Sequence, residues 1–112
     1  MIEFNEILLT SSGGSIFTIP LNDVIVSIIP RYNYSAECWG IDILDADGNF
    51  LLSGIMLIPG IDILIPYPQL KKSIGSLVLI ELNKGDYKSP DLLGVNTKLM
   101  WFPPGTEIVI PT

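Results

Sequence analysis

Histidine is absent from this 112-residue chain, and cysteine occurs once, at Cys38. No imidazole base, Ser-His-Asp or Cys-His pair, or histidine metal ligand can therefore be assembled from it. A lone cysteine also excludes an intramolecular disulfide and a thiolate zinc cluster. Charge is scarce as well. Charged residues make up 16% of the chain, against about 25% in ordinary globular proteins. Six are basic and twelve acidic, for a net charge of −6. So few cations make a poor phosphate-binding surface, which argues against nucleic-acid recognition. Alanine, the strongest helix former, occurs only at Ala36 and Ala46.

Isoleucine and leucine are abundant, together numbering 33. The mean hydropathy is +0.49. The length fits one domain over 1–112, whose modest core cannot enclose so many apolar side chains. A spanning helix needs about 20 consecutive apolar residues. The uncharged stretch 50–61 is short and broken by Ser53, Gly54, Pro59 and Gly60, and 7–22 contains Ser-Ser-Gly-Gly-Ser at 11–15. Neither suits membrane insertion. The opening segment Met1-Ile2-Glu3-Phe4-Asn5-Glu6 is acidic, unlike a secretory leader. These features predict an intracellular product with Cys38 as a reduced, buried thiol. They also predict that the apolar excess is covered by other subunits.

Proline or glycine interrupts almost every long stretch, and short Ile/Val-rich runs recur between turn signals, the pattern of an all-β protein. The expected strands lie near 2–9, 15–20, 23–30, 38–45, 50–57, 77–82, 97–102 and 106–110. The fold class is a single small β-barrel or sandwich with a central β-hairpin over 38–57. On its first strand, alternation puts Trp39, Ile41 and Ile43 on one face and Cys38, Gly40, Asp42 and Leu44 on the other. Asp45-Ala46-Asp47-Gly48-Asn49 supplies the turn. The return strand is apolar on both faces except for Ser53 and Gly54, which predicts a central strand or one covered by a partner. A short helical turn is expected over 70–74, an exposed loop over 83–90, and another helical turn over 91–94 closed by Gly94.

Asp45 to Asn49 superficially resembles a calcium loop. Its glycine stands fourth instead of sixth, and Met56 occupies the twelfth position where a bidentate glutamate is required. A hairpin turn accounts for all five residues. Asp42, Asp45 and Asp47 could be read as an acid–base group, but two carboxyls must be held around a substrate for that chemistry. Solvated turn charges are the simpler reading. Gly13-Gly14 lacks the Gly-Lys-Ser/Thr of a phosphate loop and reads as a flexible connection. Alternation also separates Trp101 from Phe102, so one of them faces away from the core. Tyr67, Leu70, Trp101 and Phe102 are the candidate subunit contacts.

Three stretches carry a resemblance. The first runs from Cys38-Trp39-Gly40-Ile41-Asp42-Ile43-Leu44 through Asp45-Ala46-Asp47-Gly48-Asn49 and Phe50-Leu51-Leu52-Ser53-Gly54-Ile55 to Leu64. The second is Gly75-Ser76-Leu77-Val78-Leu79-Ile80. The third is Asp91-Leu92-Leu93-Gly94 followed by Lys98-Leu99-Met100-Trp101. In this order they resemble the small baseplate plug proteins of contractile-tailed phages and prophages, over roughly 15–102. Three features depart from that pattern: Gly40 stands where relatives often carry tyrosine, the loop Asn83 to Pro90 is more mixed in charge than their acidic loop, and the Pro-Pro-Gly and final segment at 103–112 lie outside it.

The resemblance implies a virion structural protein in the tail baseplate, at the junction of tail tube, hub and spike, made and assembled in the host cytoplasm. It implies no catalysis and no cofactor, and it transfers no set of site residues. Its partners would be hub, tube and spike proteins and further copies of itself in a ring. Two rivals follow from the residues: a β-sandwich carbohydrate-binding module built on Trp101 and neighbouring tyrosines, and a hydrolase built on Asp42, Asp45 and Asp47.

Overall fold

A computed structural model of the chain describes residues 5–7 and 16–105. The described chain is mostly β. Strands β1 (Asn5–Ile7), β2 (Phe17–Leu21), β3 (Val24–Asn33), β4 (Cys38–Leu44) and β5 (Phe50–Met56) precede helix α1 (Pro68–Ile74). Strands β6 (Ser76–Glu81) and β7 (Thr97–Phe102) follow, separated by two short 3-10 turns, Asp86–Lys88 and Pro90–Leu92. They form two antiparallel sheets, ordered β1-β7-β6 and β2-β3-β4-β5. The described strands do not close into a barrel, and the two sheets are arranged in a sandwich-like way. The strand expected at 106–110 and the Gly13-Gly14 loop lie outside the described residues.

Each sheet turns one apolar face toward a shared core. From the four-stranded sheet come Val26, Ile28, Ile41 and Ile43; from the three-stranded sheet come Leu77, Leu79 and Leu99, all 1% exposed or less. Full burial of each such side chain stabilises the fold by about 1.5–3 kcal/mol. Alternation along β4 places Trp39 with Ile41 and Ile43 on this inner face, as its spacing predicts.

The hairpin between β2 and β3 turns on Asn22 and Asp23 alone. Both are left-handed, with φ of 52° and 63°, which is the twist-matched form for a two-residue turn. Asn and Asp tolerate this conformation better than other side chains. The flanking pair Leu21↔Val24 sets the register. Backbone alternation then points the Pro20 nitrogen, which carries no hydrogen, away from β3 toward the outer edge of the described sheet. The same alternation lets β3 run through Pro30, beyond the expected end at 30. Pro30 lies past the last β2 pair, Phe17↔Ile28, and its nitrogen faces away from β4.

Among the described residues, strand β5 is the edge of its sheet, which corrects the central-strand half of the expectation of a central or partner-covered strand. Its register against β4 slips twice, passing from Ile41↔Ile55 to Ile43↔Leu52 and then to Leu44↔Phe50. Each slip adds a residue on β5 and disturbs the alternation, so apolar side chains fall on both faces while Phe50 and Leu51 stay exposed. The free edge of β6 is covered by the preceding chain: Gly60 N–H donates to the Leu79 carbonyl and Ile63 N–H to that of Leu77, both at 3.0 Å.

Helix α1 begins with proline in its first turn, where the missing N–H costs nothing. It ends at Gly75, at φ +110°, where an added Cβ would lie 2.1 Å from the Phe102 carbonyl oxygen. Only glycine lets the helix stop there against β7. The expected turn at 91–94 is a 3-10 turn beginning one residue earlier, with Gly94 left-handed at φ +83° after it.

Candidate functional site

The three aspartates around the hairpin do separate structural jobs. Asp45 Oδ1 accepts the N–H groups of Asp47 and Asn49, both at 2.9 Å, and Oδ2 accepts from the Asn49 amide at 3.3 Å. These bonds, the Asn49 N–H foremost, hold its carboxyl below the usual aspartate range. Asp42 lies on the outer face of β4 and is buried. Its Oδ1 accepts Gly54 N–H at 2.7 Å and the Ser53 hydroxyl at 3.3 Å, and its Oδ2 faces the Arg31 guanidinium at 3.5 Å. Asp47 is exposed. The geometry makes a turn and a sheet clamp from residues that an acid–base reading would group together.

The aromatic side chains divide similarly. Trp39 is in the core, edge-on to Tyr32 at 5.5 Å. Trp101 packs half-buried against that core and donates its indole N–H to the Ile74 carbonyl at 2.6 Å. Phe102 faces the other way, as alternation requires, yet is only 4% exposed. Neither ring is an open platform. Cys38 is a free, buried thiol, and burial pushes its ionisation upward.

Tyr67 and Leu70, by contrast, come together. They line an open apolar groove of about 590 Å³ with Leu51 and Leu52 from β5 and the flanking Pro66 and Pro68. Tyr67 is held in an extended path by the two prolines, its N–H bonded to the Leu64 carbonyl at 2.9 Å. Exposed Ile61 and Ile65 lie nearby in sequence, at 48% and 64%.

The arrangement behind this groove has no counterpart in the sequence reading. Asp62 is buried; its Oδ1 accepts Leu64 N–H at 3.0 Å and Leu77 N–H at 3.3 Å. Its Oδ2 pairs with the Lys71 ammonium, which also donates to the Ser76 hydroxyl at 3.0 Å. Burial alone would raise the Asp62 carboxyl, but Lys71, Leu64 N–H and Ser76 together hold it below its ordinary value. This node ties the chain before α1, α1 itself and β6 into one unit, and so fixes the Tyr67–Leu70 wall of the groove. The only hint in the sequence is a carboxylate inside the apolar run Ile61-Asp62-Ile63-Leu64-Ile65.

A second concavity, of about 520 Å³, lies on the outer face of the four-stranded sheet. Arg31, Gly40 and Met56 form one cross-strand row over β3, β4 and β5. Gly40 contributes no side chain between its two long neighbours, which leaves the hollow. Tyr34 borders it.

Neither concavity collects the nucleophile, base and oxyanion donors of a hydrolytic centre. The groove offers apolar contact, fixed by an ion pair behind it. Comparison with curated proteins gives no match. Among protein families, the model described as cyanophage baseplate Pam3 plug gp18 matches residues 4–104, nearly the whole chain and including all three stretches that carried the resemblance. The chain belongs to the cyanophage baseplate Pam3 plug gp18 family.

Proposed function

We propose that this protein is a non-catalytic structural part of a contractile phage tail baseplate, seated as a plug where tail tube, hub and spike meet. It acts through protein–protein contacts, the whole chain serving as one sandwich-like domain. It assembles in the host cytoplasm and ends in the virion, with several copies in a ring. Family membership supports the baseplate role. The observation that carries the contact mechanism is the exposed apolar groove at Tyr67 and Leu70, at the start of a helix tied down by the Asp62–Lys71 pair. Tyrosine in such a setting is a typical contact anchor: large, stiff and amphipathic.

The edges of the sheets support docking by faces over docking by strand addition. Pro20 removes an outward donor from β2, two bulges distort β5, and the chain at 59–63 covers β6. Low charge suits such packing, since few ionised groups need desolvation. Contacts involving Tyr67, Leu70 and the exposed part of Trp101 are therefore proposed, whereas Phe102 is already enclosed within its own chain.

The test is incorporation into baseplates of a Leu51→Glu/Tyr67→Glu double variant. Both positions are 38–40% exposed, so the isolated protein keeps its fold by circular dichroism. Incorporation is expected to drop by about tenfold or more, the loss of one good anchor. Full incorporation would contradict the groove as a contact surface.

A further inference from the structure

The hollow at Gly40 is a second, chemically different site. We propose that it binds a neutral sugar ring, an activity separate from the baseplate role and independent of the Tyr67 groove. Its walls are built, not accidental. The Tyr34 ring is 80% exposed, yet it is held edge-on at 4.9 Å to Tyr32. Tyr32 is itself packed edge-on to Trp39, and its hydroxyl donates to the Lys88 carbonyl. An exposed aromatic ring thus rests against a packed one, and that contact lowers the ordering cost of binding.

Arg31 and Asp42 line the same concavity. The guanidinium side chain is 70% exposed, while the carboxylate is 8% exposed and anchored by Gly54 and Ser53. Their charges cancel at 3.5 Å. An anion drawn to Arg31 would meet Asp42, and a cation drawn to Asp42 would meet Arg31. A ring bearing several hydroxyls avoids this conflict. Each hydroxyl both donates and accepts, so one can accept from Arg31 while its neighbour donates to Asp42. The ring's apolar face then rests on Tyr34. Polar side chains at Arg31, Asn33, Ser35 and Asp42 around an aromatic wall, in a concavity of about 520 Å³, suit one or two sugar units. The carbohydrate reading based on Trp101 and neighbouring tyrosines uses a different platform, and Trp101 is packed against the core.

Gly40 allows a test that leaves the fold intact. It has no left-handed φ, and an added Cβ would meet only the Ile55 oxygen at 3.5 Å and the Arg31 oxygen at 3.7 Å, ordinary contacts. Gly40→Val fills the hollow from its floor with a residue favoured in strands. Amide spectra of the full chain would be recorded during titration with glucose, galactose, N-acetylglucosamine, chitotriose and maltotriose, with sodium acetate as an anionic control. At least one sugar is expected to give saturable shifts confined to 31–35, 40–42 and 54–56. Tyr34→Ala should weaken that binding by about tenfold and Tyr34→Phe far less, because the ring face supplies the contact. Gly40→Val should abolish it at unchanged melting temperature. The proposal fails if no sugar gives saturable shifts, if binding survives Gly40→Val, or if acetate saturates the same amides more tightly. It also fails if the unaltered protein binds no sugar while Gly40→Val loses incorporation into baseplates, which would make the hollow a protein contact. A failure on the sugar arms leaves the Tyr67 groove and the baseplate reading untouched.

Discussion

Asp62 shows how a single residue organises a surface it does not reach. Its carboxylate satisfies two backbone donors and one ammonium from three different segments. Asp62→Asn removes the counter-charge of Lys71 and weakens the acceptors of Leu64 and Leu77. The expected cost is about 1–3 kcal/mol at neutral pH, kept at this level because Lys71 remains partly solvated; chemical denaturation measures it. The pH dependence has a definite sign. The folded carboxyl lies below its unfolded value of about 3.9. On acidification the unfolded chain therefore takes up the proton first, and stability falls. The contribution is complete above about pH 5 and is lost as pH drops through the folded value. Asp62→Asn should flatten this acid limb, and an unchanged limb would assign the acid sensitivity elsewhere. None of this was legible from spacing. Lys71 is nine residues from Asp62 in sequence, and Leu77 fifteen, and only the fold of 59–77 brings them together. The Gly40 hollow was hidden for a similar reason, since it depends on the cross-strand row Arg31–Gly40–Met56, which register alone creates.

At the scale of elements, the Ile/Val-rich runs mark strands well because strand formation here follows local pattern. The hairpin over 38–57 is the clearest case: Trp39, Ile41 and Ile43 share a buried face and Asp45 caps the turn. Where the strand next to it lies in the sheet could not be read the same way. Bulges break the two-residue period, and an edge strand that is apolar on both sides looks like a central one. The edges also yield a prediction. Pro20→Thr restores an outward N–H on β2 while keeping a residue suited to a strand. The purified variant should self-associate at lower concentration than the parent protein in light scattering. Identical behaviour would mean that Pro20 does not guard this edge.

For the whole molecule, the shortage of charge and the excess of Ile and Leu have distinct destinations. Part of the excess fills the core between the two sheets, and part remains exposed along 50–67 and on the outer sheet face. Those exposed residues are the ones a baseplate would cover. The central claim is that this chain is a fixed structural part of the tail. Quantitative mass spectrometry of purified, intact phage tails tests it most directly. The account predicts that the chain copurifies with baseplate proteins in a constant whole-number ratio to the hub, unchanged by high-salt washing because apolar packing is little screened. Its recovery only in the soluble lysate, or in amounts that vary from preparation to preparation, would contradict the account.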